Sequence, residues 1–160
     1  MQQPPQWVID EAVKAARKSW CAKDQRGVVV WDGWGVVSAA NGPPAPVKCS
    51  GSAECRAACG KIAGHAEERA LMEWGNRPLW RPEARMLHIK LENDLPVPGG
   101  PPSCVGCSRS ILMRGRIAGI WLWLDAEHAD GGVPAWRWYP AVEFHTLSLL
   151  HPRNNLPVIR

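Results

Sequence analysis

Tyrosine and phenylalanine are almost missing from this chain, one of each in 160 residues, while tryptophan occurs ten times. Large apolar groups are needed to fill a core, so several indoles must be interior, and the surplus leaves flat aromatic faces available to a ligand. Long apolar runs are lacking too. The longest, Ile117–Leu124, is far shorter than the roughly 20 residues a spanning helix needs. The start, Met1-Gln2-Gln3-Pro4-Pro5, has no basic and then apolar leader pattern, so a cytoplasmic protein without membrane contact is expected. Thiols stay reduced in that compartment, and the six cysteines read more naturally as metal ligands than as disulfides. Charge of one sign is not abundant either. A net +4 and a pI near 8.9 permit contact with phosphates without selecting a partner. No internal repeat is visible. With 46% hydrophobic and 21% charged residues the chain can bury a core, and its length suits one domain spanning 1–160.

Residues 7–20 carry apolar side chains near helical spacing, with Asp10 and Glu11 early and Lys14, Arg17 and Lys18 late, which suits a helix dipole. The β-branched stretch 27–31, the turn signal Asp32-Gly33 and the extended stretch 35–40 predict a hairpin. Three prolines in 41–46 then impose a rigid loop. A second helix is expected over 65–74, ended by Gly75-Asn76-Arg77-Pro78. Residues 85–91 alternate as a strand, and 96–102 form another proline- and glycine-rich loop. Residues 104–114 read as a helix and Ile117–Leu124 as a buried strand, a strand–helix–strand unit that predicts parallel pairing. Residues 136–139 lead into a last helix over Ala141–Leu150, and 156–159 are expected as a terminal edge strand.

The chemistry concentrates in His65-Ala66-Glu67 and Pro102-Ser103-Cys104-Val105-Gly106-Cys107. One imidazole and two thiolates suit tetrahedral zinc and leave a fourth position for water. Two cysteines three apart at a helix start can aim both sulfurs at one point, and the partial positive charge there favours thiolate. Glu67 stands two residues from the histidine, where a carboxylate can move protons. This histidine-x-glutamate and cysteine-x-x-cysteine pairing is the signature of zinc-dependent hydrolytic deamination of a base.

On these motifs, with Cys21-Ala22-Lys23 ahead of the first strand and Asn41-Gly42-Pro43-Pro44 after the second, residues 5–124 resemble the cytidine deaminase superfamily, most of all its deoxycytidylate deaminase type. The resemblance implies a three-layer α/β fold, a mixed central sheet of about five strands with helices on both faces, and a zinc site between two helix starts. It makes His65, Cys104 and Cys107 the ligands and Glu67 the proton shuttle. It further makes Asn41 a contact to the sugar, the backbone of Ala66 a contact to the base, and the Ser103 carbonyl an acceptor for the leaving amino group. Ser103 departs from the usual pattern, in which proline directly precedes the first cysteine. Trp123, at the end of a strand near the site in this superfamily, is a base-stacking candidate.

Cys21, Cys49, Cys55 and Cys59 form a second group, and four thiolates would close a structural zinc site pinning the proline loop. The substrate expected is cytosine in a deoxycytidylate-type nucleotide or in DNA, with single-stranded DNA favoured by the tryptophans and positive charge. Adenosine deamination on nucleic acid and a catalytically idle zinc-stabilised binding module remain alternatives, and a homo-oligomer is compatible with either. His88 and His145 receive no role.

Overall fold

In a computed structural model, residues 3–22, 24–44, 47–75, 82–99, 103–113 and 116–151 are described. The expected terminal strand at 156–159, and Asn76-Arg77-Pro78, lie outside them. One mixed sheet organises the molecule. Its strands are β1 (Gln25–Trp31), β2 (Val36–Ala40), β3 (Ala84–Glu92), β4 (Leu95–Val97), β5 (Ile117–Leu124) and β6 (Ala135–Pro140). Their order is β2-β1-β3-β5-β6, with β4 pairing on β3 beside this path. The β1–β2 hairpin is antiparallel, with Val29 opposite Ser38, and β3 and β5 run parallel, with Leu87 opposite Trp121, as the sequence predicts.

Alternation along the strands builds the layers. Val28, Val30, Met86, Ile120 and Leu122 point to one face and pack against α3 (Ala66–Trp74), α4 (Val105–Met113) and α5 (Ala141–Leu150). From the same strands Val29, Trp31, Leu87, Ile89 and Trp121 point to the other face, where α1 (Gln6–Ala16) buries Val8, Ala12 and Ala16. Helix α1 comes unusually close: a Cβ on Gly27 would lie 2.2 Å from the Ala12 carbonyl oxygen. Helix α2 (Ala53–Ile62) stands in the cysteine segment, capped by Ser52, whose hydroxyl accepts the Cys55 N–H at 3.1 Å.

Three expectations change. Helix α1 ends at Ala16 and not near residue 20, because Lys18 and Ser19 close tighter turns onto Ala15 and Ala16, and Trp20 is left exposed. The loop expected at 96–102 begins as strand: Asn93 and Asp94 both take positive φ (50° and 63°), as a two-residue hairpin turn requires, and return Leu95–Val97 onto β3. Residues 136–139 do more than lead into α5. They lie within β6, antiparallel to β5, and with β4 on β3 the sheet has six strands.

Candidate metal centre and active site

His65 is the residue immediately before α3, and its backbone N–H donates to Glu68 Oε2 at 3.4 Å, which sets the entry of the chain into the helix. Cys104 precedes α4, and Cys107 lies in its first turn, fully buried. The two helices pack side by side, bringing His65 Nδ1 within 3.1 Å of Cys107 Sγ and 3.4 Å of Cys104 Sγ, with the sulfurs 3.4 Å apart. All three donor atoms lie within 4.8 Å of one another. Tetrahedral zinc would set these separations at about 3.6–3.8 Å, so the set fits the ion after an outward movement of a few tenths of an ångström.

The three groups are in mutual hydrogen-bond contact. Hydrogen bonding from Cys107 and then from His65 draws the Cys104 thiol down to about 4. The bond to Cys104 raises His65 to about 9. The hydrogen bond with Cys104 and burial push the Cys107 thiol far up.

Glu67, in the first turn of α3, is only 4% exposed. Burial opposes its charge, yet the nearby His88 and His65 imidazoles and a hydrogen bond donated by Ser103 Oγ to Oε1 hold the carboxyl below the usual carboxylate range. The family resemblance implies only a carbonyl role for Ser103; the structure adds the hydroxyl contact to Glu67. Ala66 is buried at the start of α3, where backbone N–H groups lack intrahelical acceptors.

No family model and no curated protein matches the chain. Solved structures do. A dCMP deaminase from the cyanophage S-TIM5 in apo form is 17% identical over 74% of this chain and 82% of that one, with a TM-score of 0.51. A cytidine deaminase from Burkholderia pseudomallei is 17% identical over 89% of this chain and 96% of that one, with a TM-score of 0.54. This chain has the cytidine deaminase fold.

Within the cytidine deaminase fold of this chain, the Asn41 loop is fastened to α3. Gly42 and Gly64 exchange backbone hydrogen bonds of 3.1 and 3.0 Å, and Arg69 Nη2 donates to the Gly42 and Pro43 carbonyls at 2.9 Å each. Asn41 itself is a junction. Its Oδ1 accepts from Ser19 Oγ and the Arg26 N–H at 2.7 and 2.8 Å, and its Nδ2 donates to the Asp24 carbonyl at 2.8 Å. Behind Cys107, the buried Ser108 Oγ meets His145 Nδ1 at 2.9 Å and joins α4 to α5. Neither Arg69 nor this pair was singled out from sequence.

Trp123 is not brought to the site. Sheet alternation turns it with Trp121 to the α1 face, where its ring lies 5.5 Å from that of Trp136, whereas the metal centre belongs to the α3–α4 face. Cys21, Cys49, Cys55 and Cys59 line a common pocket of about 340 Å³. Within it Cys49 Sγ and Cys55 Sγ are 3.4 Å apart, while the compact three-ligand group among the described residues remains His65, Cys104 and Cys107.

Proposed function

We propose that this protein is a zinc-dependent deaminase converting cytosine to uracil, with single-stranded DNA favoured over a free deoxycytidylate-type nucleotide. The observation that carries it is the conjunction of a His-Cys-Cys donor set with a buried, ionised glutamate two residues from the histidine. A structural zinc site needs no such carboxylate. His65, Cys104 and Cys107 would hold the ion, which supplies Lewis acidity that brings the pKa of a water to near neutrality. Glu67 takes one proton from the attacking water and delivers it to the ring nitrogen, then takes the second from the hydroxyl added at the amidine carbon and delivers it to the amino group, so that the C–N bond breaks with loss of ammonia as the new carbonyl forms. The Ala66 N–H and Ser103 carbonyl orient the base, Asn41 contacts the sugar, and the Ser103 hydroxyl keeps the carboxyl aimed.

The preference for a single strand draws on an open groove of roughly 670 Å³ beside Asn41, lined by Lys18, Trp20, Pro43 and Arg69, in which the Trp20 indole is 59% exposed. An exposed indole beside cations is a sequence-tolerant stacking surface for bases. Cys21, Cys49, Cys55 and Cys59 are assigned a second, structural zinc, supported by their shared pocket and the Cys49–Cys55 approach. Replacing Glu67 with Ala should abolish ammonia release from a cytosine-containing oligonucleotide while zinc content and folding persist. Activity in that variant would remove the shuttle from the scheme. Metal analysis of the purified protein should return two zinc ions per chain, and one ion would refute the structural site.

A further inference from the structure

The deamination scheme leaves one buried polar side chain without work. His88, on β3, is 5% exposed, and its Nε2 has no hydrogen-bond partner among the described residues. The other buried polar side chains are engaged: Glu67 with Ser103, Ser108 with His145, and Ser148 with the Phe144 carbonyl. A buried, unsatisfied nitrogen is destabilising, and in a native protein it calls for an explanation such as a catalytic role or a bound water.

Strand alternation places His88 with Ala84 and Met86 on the face packed against α3 and α4, the layer that contains Glu67. Gly99 covers its other side, so that a Cβ there would lie 3.7 Å from Nδ1. Gly99 is anchored by its N–H to the Trp123 carbonyl at 2.8 Å and by Arg26 Nη1, which donates to its carbonyl at 3.4 Å. The charged groups around the imidazole are therefore Glu67, His65 and Arg26. Burial pushes His88 down to about 4, while the Glu67 charge pulls the other way. In either protonation state the imidazole can offer an N–H donor to a carboxylate.

We propose that His88 is the positioning residue of the shuttle, its Nε2–H joined to the Glu67 carboxylate through one water. No direct bond forms at Nε2 in the structure, and a water bridging two buried polar groups would satisfy both. Ser103 and His88 then hold the carboxyl from two directions, one from the α4 loop and one from the sheet.

This inference rests on the proposed deaminase reading, and its test separates the two. In zinc-loaded protein, His88→Leu should lower kcat roughly 10–100-fold with KM and zinc content little changed, and His88→Gln, which keeps a donor, should recover most of the loss. A His88→Leu enzyme with wild-type kcat, or Leu and Gln variants equally impaired, would overturn it. A second readout needs no turnover: the imidazole 15N shifts of His88 should move when Glu67 is replaced by Gln. Unchanged shifts would refute the contact, even if His88→Leu does not fold. A wild-type protein that deaminates nothing would sink the functional reading while leaving the spectrum to decide on the contact.

Discussion

Zinc held by His65, Cys104 and Cys107 would need a neutral imidazole and two thiolates, so uptake should release protons and the apparent affinity should fall as the pH is lowered. Calorimetry in buffers of different ionisation enthalpy measures the proton release. At the same scale, Ser103→Ala removes a donor to the charged form of Glu67. The carboxyl pKa then rises, and the acidic limb of the kcat/KM profile should move to higher pH. The His65, Cys104 and Cys107 cluster, with Glu67 beside it, is legible because metal-ligand chemistry restricts residue type and spacing together. His88 is not, since one histidine in an alternating strand gives no sign of which face it takes or what lies above it. Trp123 fails for the converse reason: its place in the chain is near the site, but a period of two turns it away.

At the scale of elements, the site depends on how closely helices approach the sheet and each other. Gly27→Ala would drive a methyl into the Ala12 carbonyl and the Ala16 nitrogen, at 2.2 and 2.7 Å. Overpacking of this kind should cost about 1–3 kcal/mol, visible as a lower denaturation midpoint with zinc stoichiometry unchanged. Arg69→Met should act differently, cutting the two bonds that fasten the Asn41 loop to α3. A loss of about 2 kcal/mol is expected, along with a raised KM, measured by thermal melting and steady-state kinetics. Hairpin, parallel pair and site helices were readable from β-branched runs, turn residues and helical spacing. Strand β4 escaped because Pro96 looks like a loop residue, although Asn93-Asp94 carried the turn signal. Helix α1 was read too long because Lys18 continues its dipole pattern past the point where the backbone tightens.

For the whole molecule, a layered sheet places two helix starts together, and the chain's two sequence motifs occupy those starts. That coincidence of motif and topology supports deamination more strongly than either alone, since 17% identity to the solved deaminases carries only the fold. Among the described residues no helix is long and apolar enough to cross a membrane. A nucleotide and a single strand present the same base to the site, so the groove beside Asn41 carries the preference between them. Mass spectrometry of products from one zinc-loaded sample, offered deoxycytidylate, cytidine, adenosine nucleotides, and single- and double-stranded DNA, tests the account most directly. It predicts uracil in single-stranded DNA, formed by the wild type and absent with Glu67→Ala. Adenine converted to hypoxanthine, or no product from any substrate at full zinc occupancy, would contradict it.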